Sequence, residues 1–316
     1  MKGTKAATRD AYGQALVKMG AGCPQLVVLD ADLSKSTKTA DFAREFPERF
    51  FQVGVAEQNL MGTAAGLAAA GKIAFASSFA VFATGRAFEQ IRNTIAYARL
   101  NVKIAATHAG ITVGEDGGSH QSVEDVALMR VLPNMTVLVP ADARETENAV
   151  AAAIAIDGPV YLRLGRLAVP GVYEQDYQFV PGRAVQLCPG VDLTIIANGI
   201  MVHMAQAAAE LLAADGISAR VLNMHTVKPL DEQAVVAAAR ETGAILTAEE
   251  HSVIGGLGSA VAEVLAEQCP VPLQRIGIAD CFGESGRAEE LLTRHGLTTA
   301  QLAEQARKLL ERKSSK

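Results

Sequence analysis

One carboxylate interrupts an otherwise apolar run. Residues 50–72 read FFQVGVAEQNLMGTAAGLAAAGK, and Glu57 stands where a helix of small and apolar side chains should begin. Such an acid can stabilise the helix N-terminus through the macrodipole. It can also be a carboxyl held in an apolar pocket, where desolvation raises its pKa and lets it keep or share a proton. A second group lies in THAGITVGEDGGSHQSVED (107–125), where His108, Glu115, Asp116 and His120 stand among four glycines. Loops carried on a rigid scaffold often hold the chemistry; a solvated loop with Asp116 in a turn is the alternative. Eleven residues separate the two histidines and no cysteine is near, which is not a zinc ligand set. In SSFAVFATGRAFEQIRN (77–93), Phe79 and Phe82 lie three apart ahead of a helix. They can be core, or they can sandwich a flat ring. GGLGSAVAE (255–263) has G-G-x-G but neither the full G-x-G-x-x-G nor an acid at the right distance. It reads as a tight turn admitting close helix packing rather than as a dinucleotide loop.

The elements that must position these residues alternate along the chain. Apolar runs at 25–32, 72–78, 102–108, 135–141 and 157–166 predict buried strands, with helices near 7–20, 56–70, 86–98, 121–131 and 143–156. Continuous apolar strands alternating with helices imply a parallel sheet. Residues 167–190, LAVPGVYEQDYQFVPGRAVQLCPG, carry prolines and glycines without a helical period and read as a linker. The pattern then restarts, with strands at 192–199, 218–225, 244–250 and 272–278 and helices near 201–215, 231–241, 257–268, 286–294 and 298–312. Two α/β domains result, 1–175 and 185–316, with a frayed RKSSK tail. Ligands of open parallel sheets sit beyond the carboxyl ends of the strands. Asp30, Asp32, Ser77, Ser78 and His108 stand at those ends, although each could equally cap the helix that follows.

Composition narrows the function classes. The chain has 316 residues, 49% hydrophobic and 20% charged, enough for two ordinary globular domains. A net charge of −5 without a basic stripe argues against a nucleic-acid partner. The start, MKGTKAATRDAYGQAL, lacks the apolar core and cleavage site of a signal peptide, and no apolar run reaches 18 residues, so no membrane span is expected. Four scattered cysteines, Cys23, Cys188, Cys269 and Cys281, form no C-x-x-C pair and suggest reduced thiols in a cytoplasmic protein.

Taken together, VGVAEQN, SSFAVFATGRAFEQIRN, THAGITVGEDGGSHQSVEDVALMRVLPNMTV, GPVYLRLGR, TVKPLD, EEHSVIGGLGSA and FGES resemble the C-terminal half of transketolase over nearly the whole chain. GEDGGSHQ is the specific block; GGLGSA and VKPLD are shared with related thiamine diphosphate enzymes. The resemblance implies a parallel-sheet pyrimidine-binding domain followed by a mixed-sheet C-terminal domain. The family's diphosphate-binding domain, with its GDG…N magnesium motif, has no counterpart here. The chain therefore looks like one subunit of a split transketolase, paired with an N-terminal subunit that would hold the diphosphate and Mg2+ (or Ca2+). The same comparison implies self-association as a dimer and a heterotetramer with the partner, and no metal ligand of this chain's own.

Residue by residue, Glu57 matches the glutamate that hydrogen-bonds the aminopyrimidine nitrogen and favours the tautomer that takes the thiazolium proton. Phe79 and Phe82 match aromatics on the pyrimidine, and Asp32 lies in DADLSKS, the loop against the cofactor. His120 matches a histidine near the first substrate hydroxyls, forming with Glu57 the expected catalytic pair. Asp116 matches the acid that reads the next hydroxyl; Arg9, Ser36, His108 and Arg166 match residues that hold the sugar phosphate. Gly85 departs from the pattern, because many transketolases have a tyrosine there. The activity implied is transfer of a two-carbon ketol unit from a ketose phosphate to an aldose phosphate, in the pentose phosphate manner. Half of a deoxyxylulose-phosphate synthase, a 2-oxoacid dehydrogenase beta subunit, or a transketolase for an unusual sugar are the neighbouring alternatives. A non-catalytic assembly subunit and an unrelated dinucleotide enzyme are the distant ones.

Overall fold

The computed structural model describes residues 5–314. Met1 to Thr4 of the N-terminal stretch, and Ser315 and Lys316 of the RKSSK tail, lie outside the described residues.

The chain builds two sheets of different kinds. The larger is seven-stranded, in the order 226–228, 136–138, 160–163, 102–107, 73–79, 26–30, 50–52. Every pairing in it is parallel except that of Thr226–Lys228 with Thr136–Leu138. The smaller has five strands in the order 273–278, 245–252, 193–197, 219–223, 185–188. Its first four are parallel and Val185–Cys188 runs antiparallel to Ala219–Asn223, which makes it the mixed sheet expected.

The central strands Leu26–Asp30, Val102–Thr107, Val160–Arg163 and Leu193–Ala197 are buried at every position. That is why they read as mainly apolar runs rather than alternating ones; the buried Lys103 is satisfied by donating to the carbonyls of Ile156 at 2.6 Å and Gly158 at 2.7 Å. Helices on both faces close the cores. Leu60, Met61, Ile91 and Ile95 pack on one face of the large sheet, and Tyr12, Leu16, Phe42 and Val150 on the other. Local chemistry sets helix ends where tertiary contacts do not. The Asp142 carboxylate accepts from the Glu145 amide at 2.8 Å to start Ala143–Ala155. Asp231 likewise caps Glu232–Thr242, which Gly243 ends in the left-handed conformation at φ 66°.

Several expected boundaries shift. The helix expected over 86–98 is two π-helical stretches, Phe82–Arg86 and Gln90–Ala96. Such wide turns alter which residues share a face, and they are common at functional sites. The helix expected over 121–131 shortens to Asp125–Arg130, because Gln121 and Ser122 belong to the glycine-rich loop. The 167–190 stretch is not bare linker. Ala168–Pro170 pairs with Lys5–Ala7, and Val185–Cys188 edges the small sheet. No helix among the described residues is long and apolar enough to cross a membrane. The four cysteines are unpaired.

Candidate functional site

The strands 26–30, 73–79, 102–107 and 160–163 are neighbours in the large sheet and point the same way, so their carboxyl ends gather on one edge. The residues just past those ends form one connected line of side chains. At one end is Glu57, the first residue of helix Glu57–Ala69, with only 3% of its side chain exposed. Its surroundings are not the wholly apolar pocket considered from the sequence. Arg86 Nη1 donates to Glu57 Oε1 at 2.8 Å, and the guanidinium carbon lies 4.8 Å from the Phe82 ring centre. Arg86 comes from the π-helical turn directly after Gly85. A Cβ built on Gly85 would meet open space, so nothing among the described residues fills the place of the expected tyrosine.

The aromatic segment follows. Phe79 and Phe82 stack with ring centres 5.9 Å apart and planes 13° apart. His108 lies on Phe79 at 3.8 Å between ring centres. His120 presents an edge to Phe82 at 5.4 Å and to Phe79 at 6.3 Å. Two histidines 12 positions apart in sequence thus meet one pair of phenylalanines, because the glycine-rich loop folds back.

That loop owes its shape to contacts with the second half of the chain. Gln121 Nε2 donates to the carbonyls of Ile111 at 3.1 Å, Gly114 at 3.3 Å and Glu284 at 2.9 Å. A Cβ on Gly118 would stand 2.5 Å from the Gly283 carbonyl oxygen. The GEDGGSHQ block therefore needs glycine there because FGES packs against it. Glu250 Oε1 accepts from the Thr112 amide at 2.7 Å, and burial pushes the Glu250 carboxyl up from its usual range. Below the loop, Arg163 binds Asp125 through Nε at 2.7 Å and Nη2 at 3.1 Å, and donates to the Glu250 carbonyl at 2.9 Å. Burial alone would raise the Asp125 pKa, but Arg163, with His251 and the Tyr161 hydroxyl, outweighs it and holds the group below its usual value.

The far end of the line is cationic. Arg9 Nη1 reaches His108 Nε2 at 3.0 Å and the Ser36 carbonyl at 3.2 Å. Arginine can only donate, so Nε2 accepts and Nδ1 carries the proton, which is directed at Thr107 Oγ1 2.8 Å away. His108 is pushed down to about 3 by burial first, and then by Arg9, Arg166, His120 and Lys38. It is a neutral acceptor at neutral pH. Arg166 Nη1 donates to the Val113 carbonyl at 2.6 Å and lies 3.3 Å from Asp116 Oδ2. The structure thus brings together Arg9, Ser36, Glu57, Phe79, Phe82, His108, Asp116, His120 and Arg166. Asp32 is not joined to this line through its side chain. It is exposed, and its backbone N–H is bonded to Gln52 Oε1 at 2.6 Å.

Among the described residues, three of the six non-glycine residues with positive φ are here: Asp32 at 63°, Lys38 at 70° and His108 at 56°. Strained backbone of this kind persists where surrounding structure over-determines it, and it gathers at functional sites. The over-determination is visible at Asp30. This buried carboxylate accepts from the Leu33 amide at 2.6 Å, Thr37 Oγ1 at 2.7 Å and Thr39 Oγ1 at 3.0 Å, fixing the loop that carries Asp32, Ser36 and Lys38. Sequence reasoning placed Asp30 among candidate ligand contacts; its oxygens are spent on the loop instead. It missed Arg86, Lys38 and Gln121. Arg86 and Gln121 stand inside the SSFAVFATGRAFEQIRN and GEDGGSHQ stretches but their contacts are set by folding, and Lys38 lies outside every stretch the sequence singles out.

Glu249 decides the GGLGSA segment. Its carboxylate accepts from the amides of Leu257 at 2.7 Å and Gly258 at 2.8 Å, so the helix N-terminus that a dinucleotide would need is satisfied from within. Among the described residues, no group of three or more His, Cys, Asp or Glu is placed to hold a metal ion.

A parallel-sheet domain with a buried acid, stacked aromatics and a cationic rim at its strand ends, joined to a mixed-sheet domain, defines a two-domain α/β protein suited to hold a flat ring and an anion. The transketolase pyrimidine-binding domain model matches residues 4–171 and the transketolase C-terminal domain model matches residues 182–302. The chain belongs to the transketolase family. It is 48% identical to a 6-deoxy-6-sulfo-D-fructose transketolase subunit of Clostridium sp., with 97% of this chain and 95% of that one covered. It is 42% identical to one of the subunits of an apulose-4-phosphate transketolase of Phocaeicola vulgatus, with 92% and 93% covered. A solved structure described as a split-gene transketolase, inactive beta4 tetramer, superposes with a TM-score of 0.91 at 59% identity, covering 96% of this chain and 98% of that one. The family works with thiamine diphosphate and a divalent metal.

Proposed function

We propose that this chain is the pyrimidine-binding subunit of a split, thiamine diphosphate-dependent transketolase that moves a two-carbon ketol unit from a ketose phosphate to an aldose phosphate. The observation that carries this reading is the single line of side chains from buried Glu57 through Phe82 and Phe79 to His108 and Arg9. The cofactor fits this set. An aminopyrimidine offers a ring nitrogen for a buried carboxyl and flat faces for aromatic side chains. Arg86, half-exposed and held by Glu57 and Phe82, can leave to admit it. Bound thiamine diphosphate would supply the carbon acid and the electron sink. Glu57 would hold and move the proton at the ring nitrogen, and His120 would meet the first hydroxyls of the sugar. Asp116 would read the next hydroxyl, and Asp32 would lie in the loop against the cofactor. Arg9, Ser36, His108 and Arg166 would take the phosphate. The boundary between pyrimidine-binding and C-terminal domains falls in our reading between 175 and 185.

The diphosphate and its Mg2+ (or Ca2+) would be held by an N-terminal partner subunit, with cofactor between the chains in a cytoplasmic heterotetramer. Support comes from the relative 59% identical, whose tetramer of like chains is described as inactive. The two relatives named for sulfofructose and apulose 4-phosphate favour a second reading within the same chemistry, an unusual sugar. The test is xylulose 5-phosphate plus ribose 5-phosphate with magnesium and cofactor, run with this chain, with the partner and with both. The expected result is turnover only in the mixture. Robust turnover by this chain alone refutes the split enzyme, and an inactive mixture with bound cofactor refutes these sugars.

A further inference from the structure

Lys38 belongs to none of the motifs above, yet the loop delivers it to the cationic rim. It follows the short helix Ser34–Thr37, two residues after Ser36, whose carbonyl accepts from Arg9 at 3.2 Å. Its φ of 70° is costly for a residue with a side chain. The neighbouring helix makes room for it. A Cβ on Gly13 would stand 2.6 Å from Lys38 Cβ and 2.7 Å from its carbonyl oxygen, so glycine there lets the strained turn dock. The ammonium lies 3.1 Å from Asp10 Oδ1, beside Arg9 in sequence, and its side chain is 35% exposed. It acts on the His108 ring together with Arg9, Arg166 and His120. Arg9 Nε, in the same group, is buried without a hydrogen-bond partner.

We propose that Lys38 is a specificity residue of the sugar-phosphate site, a further cationic contact for a tetrahedral oxyanion at the far end of the substrate, restrained by Asp10 until that anion arrives. The inference rests on the substrate reading given above. It needs no movement of the strained backbone, because a lysine stem of this exposure can turn its ammonium from Asp10 toward Arg9 and His108. The competing role is a surface ion pair that only pins the loop to helix Thr8–Gly22. The two roles differ in sign at Asp10. If the pair is structural, losing either partner weakens the site; if Asp10 restrains Lys38, removing its charge strengthens anion binding.

The test is calorimetric titration of the full chain, at low and at raised salt, with inorganic phosphate, ribose 5-phosphate and ribose. The wild type would be compared with Lys38→Met, Lys38→Arg and Asp10→Asn, each checked for an unchanged melting temperature. Lys38→Met should weaken phosphate and ribose 5-phosphate by roughly 3–10-fold, since a half-screened charged contact falls between surface and buried values. Lys38→Arg should stay near wild type, Asp10→Asn should bind the anions more tightly, and ribose should not distinguish the variants. The Lys38→Met deficit should shrink with salt. Wild-type phosphate affinity in Lys38→Met, or weakened affinity in Asp10→Asn, overturns the role of Lys38 while leaving the substrate reading intact. A wild-type chain that binds neither phosphate nor ribose 5-phosphate overturns both.

Discussion

Replacing Glu57 by glutamine separates the proton chemistry of the site from its architecture. The two side chains have nearly the same volume, so the apolar neighbours Leu60 and Met61 on the same helix should keep their packing. The stability cost comes from Arg86, whose 2.8 Å partner keeps an accepting oxygen but loses its charge. That guanidinium is 52% exposed and can be hydrated in place, so the change should stay below about 1 kcal/mol. Turnover should fall far more. Glutamine cannot exchange a proton with the ring nitrogen, and positioned acid–base catalysis is worth roughly 10²–10⁴-fold. In the reconstituted enzyme, deuterium exchange at the thiazolium carbon should slow by about that factor while the melting temperature barely moves. Exchange at the wild-type rate would remove Glu57 from the mechanism. A large loss of stability would show that the Arg86 pair holds the fold rather than guarding the site.

Arg166→Ala should raise KM for phosphorylated sugars roughly 10–100-fold, the worth of a charged hydrogen bond, and spare unphosphorylated acceptors. Equal loss with both would show that Arg166 acts only by tying down Val113 and Asp116. Because His108 is pushed down to about 3 in the folded chain, the unfolded chain binds the proton more readily between about pH 6.5 and 3. Stability should therefore fall as pH drops through that window, by about 2 kcal/mol between pH 7 and 5 from this group. Urea unfolding of His108→Gln should lose that part of the slope; an unchanged slope would show that His108 is not held neutral.

Much of this protein is legible in its sequence, and the reason is local. Fully buried parallel strands are mostly apolar on both faces, so runs such as Leu26–Asp30 and Val102–Thr107 stand out without any knowledge of their neighbours, even with a buried Lys103 inside the second. Their alternation with helices implies the parallel sheet, and the sheet implies that Glu57, Phe79 and His108 share an edge. Pairings between distant segments leave no such trace. Nothing near Thr226 says that this strand of the second half will edge the first sheet, 88 positions from Leu138. Lys5–Ala7 and Phe50–Gln52 are too short to carry a period. The site divides the same way. Residue types suggested which side chains could act, but only folding set Arg86 against Glu57, turned the oxygens of Asp30 into its own loop, and paired Lys38 with Asp10, the chain neighbour of Arg9. Charge pairs form wherever chain geometry allows two groups to meet, and that geometry belongs to the packed molecule rather than to any stretch of the chain.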